Sequence, residues 1–318
     1  MKKKTDLKKV ALIGTGFVGM SFAYALLNSG ECDQLVLIDI NKVKAHGEAM
    51  DLNHGLPFAK RNMLIFDGEY CDCCDADIVV IAAGVNQKDG EGRIALLHRN
   101  YEVFRSIIDP VVKSGFEGIF LVATNPVDIM TKITLELSGF DPSRVIGSGT
   151  TLDTARLRYL LGDYFSIDPR NVHAYVIGEH GDSEIVPWSQ AYITTKSIFD
   201  VIDHSNGKFK LEDLNNISKN VTGAAQEIIR AKSATYYGIG MALVRIVRAI
   251  FGDEKSALTC SVLLKGQYGI NGIYAGLPAI IGRNGVEDII VLDLKEDEEK
   301  AFINSCNFLK ETAKQIGF

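Results

Sequence analysis

Two histidines, His173 and His180, stand seven residues apart in the stretch VHAYVIGEHGDSE, with an apolar run between them and acids crowding the second. Imidazole titrates near neutral pH, so either could act as a proton switch. Equally, either could be a surface or core histidine with satisfied hydrogen bonds. Upstream, Asp153 and Arg156 lie at i and i+3 of a predicted helix and share a face. Arg158 falls about 200° around from Arg156 and points the opposite way. On the residues alone, Asp153 and Arg156 are either an ordinary surface ion pair or an inward-facing pair that belongs to a site.

A second constellation is more specific. Gly14, Gly16 and Gly19 form G-x-G-x-x-G between an apolar run and a helical pattern. The first glycine permits a tight turn, the second lets backbone approach a pyrophosphate, and the third brings helix and strand together. The helix start, with Phe17 and Val18, then offers free N–H groups to phosphates. Asp39 ends the next apolar run twenty residues after Gly19, where a carboxylate can take the adenosine ribose hydroxyls and repel a 2′-phosphate. The expected cofactor is therefore NAD rather than NADP.

These residues need a scaffold. Apolar runs at VALI, QLVLIDI, ADIVVIAAG, GIFLVATNP and RVIGSGT alternate with helical stretches. They are apolar throughout, as in a parallel sheet covered on both faces. The fold class is α/β: an N-terminal Rossmann, doubly wound parallel sheet over 8–147, plus a C-terminal α+β catalytic domain over 148–318. In the second half the pattern predicts a helix at TLDTARLRYLLGDYF and a strand over 172–177. A long helical region follows over 211–250, broken at Gly238 and Gly240, then hairpin strands and a closing amphipathic helix.

Composition narrows the function. The 318 residues carry a formal charge of −6, which argues against nucleic acid as a partner. The lysines near the start lead into a glycine-broken stretch rather than a signal-peptide core, and no apolar run approaches the ~20 residues of a membrane span. A cytoplasmic location is expected. Cys71, Cys73 and Cys74 include one C-x-x-C, but no second pair or histidine spacing completes a zinc site. They read as reduced thiols, and no metal is expected.

GTGFVG, NQKDGEGR, VATNPVD, GTTLDTARLR, IGEHGDSE and AKSATYYGIG occur in this order over nearly the whole chain. Together they closely resemble the L-lactate dehydrogenases of the lactate/malate dehydrogenase family. The resemblance implies that His180 is the acid/base, that Asp153 orients it, and that Arg156 clamps the substrate carboxylate. It implies that Arg93 meets the carbonyl oxygen as charge develops, on a loop that closes over the substrate. Asn125 would support cofactor and carbonyl, with Asn125–Pro126 a plausible cis bond.

Gln87 matches the position where the family's malate dehydrogenases carry an arginine, and Thr235 matches a residue flanking the substrate methyl. Both point to pyruvate and L-lactate. Arg158 and His173 match an anion site for fructose 1,6-bisphosphate between subunits of allosteric bacterial members, so this effector and a homotetramer are implied. The alternatives are a malate or bulkier 2-hydroxy-acid dehydrogenase, or a non-catalytic NAD-binding protein.

Overall fold

The fold is that of a computed structural model, which describes residues 7–85 and 93–317. Its first half alternates strand and helix: β1 (Lys9–Ile13), α1 (Phe17–Ser29), β2 (Gln34–Ile38), α2 (Lys42–Gly55), β3 (Leu64–Asp67), β4 (Ile78–Ile81), α3 (Arg93–Lys113), β5 (Ile119–Val122), α4 (Val127–Ser138) and β6 (Val145–Gly147). These strands are parallel in the order β3-β2-β1-β4-β5-β6. The order reverses between β1 and β4, so a crevice opens at the carboxyl ends of those two strands. β1, β4 and β5 are buried at every position, which is why they read as unbroken apolar runs. The edge strand β3 is also apolar through Phe66, but only Ile65 of its four residues is buried.

The second half comprises α5 (Thr151–Phe165), β7 (Val172–His173), β8 (Tyr192–Ile193), β9 (Lys196–Ser197), α6 (Ile198–Asp203), α7 (Leu211–Lys232), α8 (Tyr237–Gly252), β10 (Ser256–Lys265), β11 (Asn271–Gly282), β12 (Gly285–Ile289) and α9 (Glu296–Lys314). β10, β11 and β12 form an antiparallel meander that continues the large sheet to nine strands, joining β6 through Gly147 and Ser261. β7, β8 and β9 make a small separate sheet. The buried apolar side chains fall into one cluster around the large sheet and a second under α5, α7 and β7.

Two expectations need correction. The strand expected over 172–177 is interrupted: Val172 and His173 pair with β8, and Ile177 forms only an isolated antiparallel bridge with Ile185. At Val176 its place is taken by side chains of the α5 region: Thr154 Oγ1 accepts the Val176 N–H at 2.9 Å, and Thr150 Oγ1 donates to the Val176 carbonyl at 2.6 Å. Buried backbone groups must be paired, and here hydroxyls do it. The break in the long helical region falls at residues 233–236, where Ser233 turns left-handed at φ 72°, not at Gly238 and Gly240. Those two glycines lie inside α8. A Cβ on Gly240 would sit 2.8 Å from the Ser21 carbonyl carbon of α1, so the glycine lets the two helices touch backbone to backbone.

Gly240→Ala is therefore expected to lower unfolding stability by about 1–3 kcal/mol through overpacking. Gly223→Ala, in α7 where a Cβ would meet nothing within 4 Å, should raise it by about 0.5–1 kcal/mol. Denaturant unfolding of the two variants compares them directly.

Candidate active site

At the sheet crevice the β1–α1 turn is built from its glycines. Gly14 has φ 99°, and a Cβ there would lie 2.6 Å from the Ala83 nitrogen. At Gly19 a Cβ would overlap the Gly14 carbonyl oxygen at 1.9 Å. Gly16 faces open space, with nothing within 4 Å, so that ligand atoms can approach the backbone. The carboxylate of Asp39 accepts the Thr15 N–H at 2.7 Å and the Thr15 hydroxyl at 2.9 Å, and also the Asn41 N–H. Burial pushes its pKa up, but the Asn41 and Thr15 donors outweigh that and hold it below the usual range. A cleft of about 840 Å³ runs past Gly16, Phe17 and Val18 to Thr235 and Tyr236. Phe17 stacks on Tyr236 at 5.3 Å, so residues from both halves of the chain line it. An open glycine backbone, a helix N-terminus and an ionised carboxylate fit a dinucleotide without a 2′-phosphate.

The substrate side converges on Asp153, which is 2 % exposed in the first turn of α5. One carboxylate oxygen accepts from Arg156 Nη1 at 2.8 Å, and the other lies 2.6 Å from His180 Nδ1. The inward-facing pair is thus what forms, and not a surface one. Burial would raise the Asp153 carboxyl, but the neighbouring His180 and Arg156 reverse the effect and keep it ionised. For His180, burial lowers the pKa, but the charge and hydrogen bond of Asp153 prevail and lift it to about 9. With Nδ1 committed to Asp153, the ring leaves Nε2 to give or take a proton. Asn125 follows β5 and is exposed, and the Asn125–Pro126 bond is cis.

Three residues without an assigned role join these. Glu184, quoted in the histidine stretch, has its carboxylate within 4.8 Å of the Asp153 and His180 ligand atoms and accepts from Thr222 of α7. Burial and then the Asp153 charge raise its pKa. The Arg156 guanidinium adds a fixed positive charge to this cluster, which suits proton handling better than a cation. Asn100, 1 % exposed on α3, accepts the Val85 N–H at 2.9 Å and so anchors the end of the segment before residue 86. Asp128 contacts the backbone of His180. A single acid in the apolar start of α4 is the only sequence signal for Asp128, and Asn100, among His98, Arg99 and Glu102, has none. Gln87 and the side chain of Arg93 lie outside the described residues, as does the expected closing loop.

On the opposite side of α5, Arg158 Nε donates to the Ala174 carbonyl at 3.1 Å and its guanidinium lies over the Tyr175 ring. His173, the residue before Ala174, is exposed. Arg158 thus reaches the backbone one residue beyond His173, whereas Arg156 bonds Asp153.

Residues 8–147 match the lactate/malate dehydrogenase NAD binding domain, and residues 150–317 match the lactate/malate dehydrogenase alpha/beta C-terminal domain. An L-lactate dehydrogenase of Geobacillus sp. (strain WCH70) is 54% identical over 97% of both chains. L-lactate dehydrogenase 2 of Bacillus cereus is 51% identical over 98% of this chain and 99% of its own. Among solved structures, MGS-M5, a lactate dehydrogenase enzyme from a Medee basin deep-sea metagenome library, superposes with a TM-score of 0.96 at 53% identity, covering 98% and 99% of the two chains. The ligands-bound minor L-lactate dehydrogenase from Enterococcus mundtii gives 0.95 at 44% identity, covering 98% of each. A dinucleotide cleft, a buried Asp–His–Arg cluster and full-length matches to both domains agree that this chain belongs to the lactate/malate dehydrogenase family and uses NAD.

Proposed function

We propose that the chain is an NAD-dependent L-lactate dehydrogenase that interconverts pyruvate and L-lactate. The observation that carries this reading is Asp153, bonded at once to His180 and Arg156. Bound nicotinamide supplies the hydride chemistry. The protein's part is to hold a proton at His180 Nε2, to seat one carboxylate on the Arg156 fork, and to place both against the cleft lined by Gly16 and Thr235. Arg93 would stabilise the developing oxyanion, and Asn125 would orient the carbonyl at the end of β5.

Gln87 carries the substrate choice. A neutral amide leaves a second carboxylate without a cation, which costs several kcal/mol when buried. That selects pyruvate over a dicarboxylate, and Thr235 limits the space beyond the methyl. We further read Arg158 and His173 as half of a fructose 1,6-bisphosphate site, completed by the same residues of a second subunit. The Arg158 bond to the residue after His173 supports this, as a bisphosphate would neutralise charges that otherwise repel. Exposed apolar side chains on the packed helices α1 and α8, Tyr24 and Met241, each 63% exposed, favour self-association to a homotetramer. No described helix is long and apolar enough to cross a membrane, and a cytoplasmic site of action suits the reaction.

Pyruvate must meet protonated His180 and lactate must meet the neutral ring. The folded pKa is raised, so the charged form and its contribution to stability are complete below the ordinary value of 6.5 and disappear as pH rises through about 9. Pyruvate KM measured against pH should climb above that point, while lactate oxidation gains. Gln87→Arg should raise kcat/KM for oxaloacetate relative to pyruvate by on the order of a hundredfold; an unchanged ratio contradicts the charge argument. Titrating dilute enzyme with fructose 1,6-bisphosphate should lower pyruvate KM and shift sedimentation to the tetramer. Arg158→Gln should lose both effects.

A further inference from the structure

Beyond the Asp153–His180–Arg156 cluster, two more acids are buried beside His180, its neighbour Glu179 and Asp128, the latter in the first turn of α4 and 1 % exposed. Asp128 joins three distant parts of the chain. One carboxylate oxygen accepts the His180 backbone N–H at 2.9 Å, and the other accepts from the Ser261 hydroxyl on β10. We infer that Asp128 is a positioning residue for proton transfer at His180. Its carboxylate fixes the backbone that carries the imidazole and supplies, with Asp153, the negative charge that keeps the ring cationic. This rests on the assignment of His180 as the proton-transfer residue.

The argument is one of chemistry against cost. A backbone N–H and a serine hydroxyl are neutral partners. An asparagine would satisfy both, accepting from His180 through its oxygen while the Ser261 hydroxyl reversed to accept from its amide. If Asp128 only tied the loop to α4, a neutral side chain would do so without the penalty of a buried charge. That penalty is visible: burial pushes the Asp128 carboxyl up to about 6, even though Ser261, the His180 amide and the His180 ring all pull it down. Glu179, adjacent in sequence to His180, opposes ionisation further. The amino end of α4 favours the anion. The charge is felt at the ring, where Asp128 follows Asp153 among the groups that raise His180.

The charged and titratable groups around the two residues come from every packed element. Asp153 and Arg156 reach His180 from α5, Glu184 from its own loop, and Asp128 from α4, while the Cys306 thiol of α9 senses Asp128. Among these, Asp128 alone bonds the His180 backbone while its charge acts on the ring.

Asp128→Asn keeps the shape and removes the charge. Histidine-labelled enzyme, with the His180 NMR signal identified by its loss in His180→Gln, gives a readout independent of turnover. The expected result is a three- to tenfold lower proton affinity of His180 in Asp128→Asn, about 0.5–1 pH unit, with the alkaline rise of pyruvate KM moving by the same amount. Ser261→Ala leaves the carboxylate less stabilised and should move the titration the same way by less, which covers the case in which the first variant does not fold. A His180 titration unchanged in the variants, whatever their thermal stability, overturns the inference. Absence of pyruvate reduction by the unaltered enzyme would instead overturn the assignment on which it rests.

Discussion

The site hangs on one buried carboxylate with two cationic neighbours. Asp153 is removed from water in the first turn of α5, and an isolated anion there would be severely penalised. It stays ionised because Arg156 and His180 each occupy one of its oxygens. The consequence runs both ways. Asp153 holds the imidazole in one orientation and tautomer and raises its affinity for a proton, and it pins one terminal nitrogen of the Arg156 guanidinium. Truncating Asp153 would leave Arg156 without its buried counter-ion and would lower the proton affinity of His180.

The rest of the architecture serves that arrangement. α5 starts directly after β6, at the join between the parallel strands and the antiparallel meander, and its hydroxyl residues Thr150 and Thr154 secure the chain at Val176, four residues before His180. Asp128 takes hold of the His180 backbone from the other side. The cofactor cleft shares this geometry, since α8 packs on α1 through Gly240 and carries Tyr236 against Phe17. Small residues set these distances, so the two halves of the chain meet at the chemistry rather than across a linker.

α5 also sends its two arginines to different places. Arg156 bonds the buried Asp153, while Arg158, two residues on, lies against the Ala174 carbonyl and the Tyr175 ring next to His173 in sequence. Helical geometry enforces the division, because residues two apart cannot share a face. The same logic divides the opening stretch: His173 is exposed on the small sheet, whereas His180 enters the cluster.

Much of this was legible in the residues themselves. Local rules were enough for the glycine turn, for Asp39 at the end of β2 and for the opposed arginines of α5, since each depends on backbone conformation or helical period within a few residues. Residues 64–67 were not singled out although Met63–Phe66 is a short apolar run, and the strand expected to run to Ile177 was interrupted at Val176 because hydroxyls from another element paired its backbone there. Periodicity could not show that Gly238 and Gly240 serve contact with α1 and not a helix break. Nor could it show that Glu184, Asn100 and Asp128 gather at the site, since their partners lie 38, 15 and 52 residues away. The sequence by itself determined which side chains were available and which way short elements must present them. Only the tertiary structure decided which buried charges would face one another, because burial and pairing depend on segments that meet only after the chain has folded.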